Sequence, residues 1–254
     1  MNTQPFVGFT NYTSSEDAFE LLAAVPQGFP RPIMLSACLD DASINEDASQ
    51  SKYNCLGAQL VQTMFLDRPN VLHLIECKFT SPETLYKKLA KATILGNKTL
   101  CGFQLSTTHT SYSAIQKFRK SFPSMRLVLK INRQDLARVG NEPIIFAAQI
   151  KTQFSGLVND IIFDIKQDPD LEVLHLRSYA GFIKKVHEYE VGLGIGIYGA
   201  MDDHLTEAAA YLLKEFPFLS IQADCNPNHS SERIDVFAAA AYISNITRLL
   251  EANK

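Results

Sequence analysis

The chain has 254 residues, 46% of them hydrophobic and 20% charged, and a formal net charge of -3. That length suits one barrel-sized domain of ~250 residues better than two small ones, so a single domain over 1–254 is expected. No run of ~20 apolar residues offers a membrane span, and Lys and Arg form no stripe that would serve nucleic acid, which sets both partners aside.

The first residues, Met1 to Pro5, contain no basic stretch followed by an apolar core, so a cytoplasmic location is the default expectation. Cys38, Cys55, Cys77, Cys101 and Cys225 are odd in number and widely spaced. They read as small apolar residues of the interior.

In chain order, the first apolar run is 6–10, followed by a helical stretch over 15–24 that places Ala18, Leu21 and Leu22 on one face. A second run, 33–40, leads into the polar, turn-rich 41–53, which reads as a loop overhanging one end of the fold. Run 71–77 precedes Ser81-Pro82, where a serine cap and a proline in the first turn predict a helix start. Runs 99–105, 126–131, 160–165, 191–198 and 219–224 follow, and 206–215 and 235–250 are Ala- and Leu-rich helices. Eight apolar runs alternating with helical segments predict an α/β fold, a single (β/α)8 TIM barrel with parallel strands.

Side chains alternate along a strand, so each run divides into an axis-facing and a helix-facing set. In 219–224 the inward set is Ser220, Gln222 and Asp224, and in 160–165 it includes Ile162 and Asp164. Run 191–198 places Gly192, Gly194 and Gly196 inward, either opening space or making room for bulky neighbours. Its GxGxG lies within a strand and before the turn, which is the wrong context for a dinucleotide fingerprint.

The segments VGFTNYTSSEDA (7–18), VLHLIECKFTSPETLYKKL (71–89), GFQL (102–105), DIIFD (160–164), GIYGAM (196–201) and FPFLSIQAD (216–224) together resemble the phosphoribosylanthranilate isomerase group of phosphate-binding barrels, and more closely its bacterial relatives. The resemblance implies a TIM barrel, a general-acid aspartate at Asp164, and a phosphate cradle after strands seven and eight near Gly199. It also implies a basic cysteine on strand one, and Val7 stands there instead, so that isomerisation is expected to be lost. Asp224 beside the cradle is expected to repel phosphate by on the order of 1 to 4 kcal/mol.

At the carboxyl ends of the strands the inward residues are Thr10, Asp40, Glu76, Gln104, Lys130, Asp164 and Asp224, with Tyr198 among them. This mouth is expected to hold four carboxylates against one cation, Lys130. Lys130 then has four readings. It is a structural counter-ion of Asp164, a Schiff-base nucleophile served by Asp164, a bystander to a divalent cation such as Mg²⁺ held by the surplus carboxylates, or part of an acid/base site without metal.

Asp164, Lys130 and Glu76 are the catalytic candidates, and Thr10, Asp40, Gln104, Tyr198, Gly199 and Asp224 the substrate-binding ones. No metal ligand set or cofactor is assigned. The expected function is an isomerase or lyase acting on a small sugar or carbonyl compound, phosphorylated or not. The alternative is a catalytically inactive barrel serving as a binding or scaffold protein.

Overall fold

Eight parallel strands, each hydrogen-bonded to the next, close on themselves in sequence order when β8 pairs with β1. The computed structural model describes residues 4–45, 61, 63–96, 98–106, 110–166, 173–190, 192–225 and 234–252, with backbone only at 173–175. In chain order the elements are β1 (Val7–Thr10), α1 (Ser15–Ala23), β2 (Ile33–Asp40), α2 (Asp41–Ile44), β3 (Val71–Lys78), α3 (Leu85–Leu95), β4 (Leu100–Ser106) and α4 (Tyr112–Ser121). Then come β5 (Arg126–Ile131), α5 (Arg133–Ala137), α6 (Pro143–Phe154), β6 (Asp160–Asp164), α7 (Val173–Tyr189), β7 (Gly194–Ala200), α8 (Asp203–Glu215), β8 (Ser220–Asp224) and α9 (Val236–Ala252). This is the single (β/α)8 barrel that the alternation of runs predicts.

The two faces of the strands feed separate apolar clusters. Phe6, Met34, Leu74, Val128, Ile162 and Tyr198 pack inside the barrel. Outside, Phe163 meets Phe146, Tyr179 and Phe182 at ring-centre distances of 5.9, 6.1 and 6.3 Å, which seats β6 on α6 and α7. Ile195, Ile197, Ile221 and Ala223 join the same outer core. Gly8 and Gly196 make no opening on the axis side. A Cβ on Gly8 would lie 2.7 Å from the Met34 methyl, and one on Gly196 would lie 2.8 Å from the Ser220 carbonyl oxygen. The bulky neighbours and the adjacent strand already occupy that space.

The amino end of the barrel is closed by an ion pair. Arg126 on β5 donates from Nε and Nη2 to the two oxygens of Asp160 on β6, each at 2.7 Å, and its guanidinium lies over the Phe6 ring.

Several local expectations change. Ser81 does not cap a helix, because its hydroxyl bonds Glu83 at 2.8 Å while 82–84 form a turn, and α3 begins at Leu85. β7 starts at Gly194, since the Leu193 amide is still tied to the Glu190 carbonyl at the end of α7. The polar segment after β2 begins as helix, with Asp40 accepting from the Ser43 amide at 2.8 Å. Residues 46–53 of that expected loop lie outside the described residues. Cys77, Cys101 and Cys225 are free, as expected, but Cys38 is disulfide-bonded. Among the described residues no helix is long and apolar enough to cross a membrane.

Candidate functional site

The carboxyl end of the barrel gathers a charged network because β3 and β6 each carry charge at two inward positions in succession. Glu76 and Lys78 stand two residues apart on β3, and Lys166 follows Asp164 by two just beyond β6, so each pair shares a face. Glu76 Oε1 accepts from Lys78 Nζ at 2.5 Å and from Lys130 Nζ at 3.1 Å. Lys130 Nζ also lies 3.8 Å from Asp164 and 3.4 Å from the centre of the Tyr198 ring, a cation over an aromatic face. The Tyr198 hydroxyl donates to Asp224 Oδ2 at 2.7 Å. Lys166 Nζ reaches that same oxygen at 2.7 Å, and Asn11 Nδ2 donates to Oδ1 at 2.8 Å. Asp164 Oδ1 accepts from the Lys166 backbone amide at 3.1 Å.

This arrangement drives the carboxylates apart in acidity. Burial raises Glu76, but the charges of Lys130 and Lys78 and the hydrogen bonds from both outweigh it and hold Glu76 below the ordinary range. Burial raises Asp164 too, and there it prevails over the pull of the more distant Lys130. Asp224 is lowered: burial opposes ionisation, while Lys166, Asn11 and Tyr198 favour it more strongly. Burial and the surrounding carboxylates push the Tyr198 phenol well above its usual value, so its proton stays in place. Lys78 is raised, because Glu76 and the other carboxylates overcome the cost of its burial.

Of the residues proposed from sequence, Glu76, Lys130, Asp164, Tyr198 and Asp224 form one connected group. Gln104 stands beside Glu76 across the β3/β4 pairing and accepts from Gln222 Nε2 at 2.7 Å. Thr10 is buried, with its hydroxyl on the Ala223 carbonyl. Asp40 caps α2 by accepting from the Ser43 amide. Gly199 faces Leu205 of α8 rather than the axis.

Two expectations need correction. The mouth does not hold a single cation: Lys78, Lys130 and Lys166 stand against Glu76, Asp164 and Asp224. Lys130 also lies closer to Glu76 than to Asp164, because the strand register sets it opposite Ile162 and leaves Asp164 a step further along. With Asp224 paired to Lys166, the repulsion expected against a phosphate is largely cancelled.

Lys78, Lys166, Asn11 and Gln222 enter the site without having been singled out as binding residues. The first two lie two residues past an inward carboxylate, and extending each strand by one step would have found them. Val7 belongs to the outer core, and the axis-facing neighbours Phe6 and Gly8 do not titrate. His204, in the first turn of α8, is exposed. Among the described residues no group of three or more His, Cys, Asp or Glu is placed to hold a metal ion. The charges facing these carboxylates are lysine ammonium groups.

No protein-family model and no curated protein sequence matches this chain. Solved structures do match it by shape. The catalytic domain of a hyperthermophilic chitinase from Pyrococcus furiosus superposes with a TM-score of 0.58 at 10% identity, covering 99% of this chain and 97% of that one. The YdjI aldolase from Escherichia coli K12 gives 0.52 at 11% identity, covering 98% and 90%. The carboxyl transferase domain of Rhizobium etli pyruvate carboxylase gives 0.53 at 14% identity, and this chain spans just under half its length, 47%. The likeness is one of fold. Neighbours at these identities establish the barrel and nothing of its chemistry.

Proposed function

We propose that this barrel is an enzyme of the isomerase or lyase type, moving a proton next to the carbonyl of a small sugar or carbonyl compound. The observation that carries the reading is the opposite displacement of two carboxylates about one lysine. Asp164 is raised and Glu76 lowered, with Lys130 between them. Environments that separate two carboxyl groups in this way divide the labour of acid/base chemistry.

Asp164 is the proton carrier, since its raised affinity brings it closer to the working pH. Lys130 stabilises the oxyanion that develops as the proton leaves carbon, and Glu76, itself gripped by Lys78, holds Lys130 as a fixed cation. Because Lys130 is held by Glu76 at 3.1 Å and lies 3.8 Å from Asp164, its role is electrostatic rather than that of a Schiff-base nucleophile. Lys78 and Lys166, whose side chains are about a quarter exposed (25% and 24%), stand where an anionic substituent such as phosphate would arrive. The resemblance to the phosphoribosylanthranilate isomerase group fits Asp164 as acid. The absence of a titrating group at Val7 argues for a different isomerisation.

One observation favours the alternative of an inactive binding or scaffold barrel: Glu76, Lys130 and Asp164 are only 2%, 8% and 7% exposed and already paired. The test is proton NMR in deuterium oxide with aldoses, ketoses, 2-oxo acids and their phosphates. Deuterium should enter at the carbon beside the carbonyl of at least one compound, and Asp164→Asn should slow this by ~10² to 10⁴-fold. Absence of exchange across the set, or exchange indifferent to Asp164→Asn, overturns the assignment.

A further inference from the structure

At and below the charged network, four buried polar atoms have no hydrogen-bond partner among the described residues: Ser36 Oγ, Glu76 Oε2, Gln104 Nε2 and Gln222 Oε1. All four belong to axis-facing side chains, and Ser36, Gln104 and Gln222 have no exposed surface at all. Three of them are linked directly, and Ser36 stands on the strand beside Glu76, in register with Leu74 two residues before it. Glu76 is paired in register with Gln104, Gln104 is bonded across the barrel to Gln222, and Gln222 lies two residues before Asp224 on β8. Gln222 is in register with Gly8 on β1, and Ser36 on β2 with Thr10 of that same strand.

The glutamine pair makes the shortage independent of how either amide is turned. Two amides that share one hydrogen bond always leave one NH₂ and one carbonyl oxygen without a partner inside that pair. The floor therefore presents acceptors at Glu76 and Gln222, a donor at Gln104, and at Ser36 a group that can do either. An anion would satisfy the donor but face the Glu76 oxygen, and an ammonium would satisfy the acceptors but not the Gln104 NH₂. A hydroxyl both donates and accepts: it can accept from the Gln104 NH₂ and give its one proton to Glu76 or Gln222, and a second hydroxyl of the same polyol can serve the other acceptor. Buried polar groups left unanswered are costly, which gives such a floor a strong preference for a guest of that chemistry.

We infer that the floor of the mouth, formed by Ser36, Glu76, Gln104 and Gln222, is a subsite for a hydroxyl group, and that the substrate is a polyhydroxylated carbonyl compound rather than a simple oxo acid. The inference rests on the reading that the mouth binds a ligand, and names its class. The same chemistry is offered by an ordered water, so the experiment separates the two sources.

Calorimetric titration of the whole protein with ribose 5-phosphate, 2-deoxyribose 5-phosphate, ribulose 5-phosphate and inorganic phosphate is the test. A hydroxylated sugar phosphate should bind roughly tenfold or more tightly than the deoxy sugar, because the missing hydroxyl strands the floor groups. Ser36→Ala should reduce that ratio severalfold, and the double change Gln104→Leu with Gln222→Leu, which removes both amides together, should bring the two affinities within about threefold. Should the double variant fail to fold, Ser36→Ala alone decides. Equal affinity for the hydroxylated and deoxy sugars means that water alone fills the floor and overturns the subsite, as does the absence of binding by any sugar phosphate. Deuterium exchange into an unhydroxylated 2-oxo acid alongside equal affinities would overturn the subsite while leaving the proton-transfer reading intact.

Discussion

The two ends of this barrel use the same chemistry to different degrees of completion. At the amino end Arg126 and Asp160 form a two-bond fork, 2.7 Å on each side, with both carboxylate oxygens occupied. At the carboxyl end one oxygen of Glu76 serves two lysines while the other has no partner among the described residues, and Lys130 is spread between two carboxylates and an aromatic face. A closed pair fixes geometry and leaves nothing for a ligand to do. An open network keeps charge and an unpaired oxygen available to a ligand. The contrast separates a framework from a site more clearly than residue type does, since both ends are built from buried carboxylates and cations.

The sharpest way to break the contrast is Arg126→Met. It leaves the Asp160 carboxylate, 1% exposed, without its partner and should cost roughly 3 to 5 kcal/mol in urea unfolding. The double change Arg126→Met with Asp160→Leu should recover much of that loss. If the single change were neutral, the amino-end pair would not be framework.

Lys130→Met at the other end should cost less, about 1 to 3 kcal/mol, because Lys78 still holds Glu76 at 2.5 Å. A loss equal to that of Arg126→Met would return Lys130 to a structural role. Smaller again is Tyr198→Phe, which keeps the ring under Lys130 but deletes the hydrogen bond to Asp224, for about 0.5 to 1.5 kcal/mol.

The mildest test is pH. Glu76 and Asp224 are lowered in the folded state, so their contribution is present above the ordinary carboxylate range, about pH 4, and is lost as pH falls through their folded values. Asp160 and Asp164 are raised, and their contribution runs the other way: it is present below that range and lost as pH rises through their folded values. Glu76→Gln should therefore flatten the acid limb of stability against pH, and Asp160→Asn should not. Identical acid limbs for Glu76→Gln and wild type would remove Glu76 from the account.

Much of this was legible from alternation alone. Once 126–131, 160–165 and 219–224 are read as strands buried on both faces, parity places Lys130, Asp164 and Asp224 inward, and the separate inner and outer clusters follow the same division. What escaped has local physical causes. β3 runs one residue past the apolar run that ends at Cys77, and Lys166 follows the run that ends at Ile165, so both lysines lie outside the apolar pattern and the pattern alone makes the mouth far more acidic than it is. Asp40 obeys parity but is claimed by the free amides of α2, a competition that the following Asp-Ala-Ser could have signalled. The Gln104 to Gln222 bond joins residues 118 apart across the barrel, and nothing in either neighbourhood announces it.

The seam where β8 meets β1 also has a consequence in time. Asn11 and Asp224, which are bonded across it, lie 213 residues apart in the chain. At ribosomal speeds of ~5 to 20 residues per second, β1 waits roughly ten to forty seconds for its closing neighbour. Throughout that interval one edge of the nascent sheet is unpaired and open to strands of other chains. The carboxyl-end network cannot be completed until β8 arrives, so the mouth is among the last parts of the molecule to assemble. A cell making this protein quickly has more use for a chaperone than the finished barrel suggests.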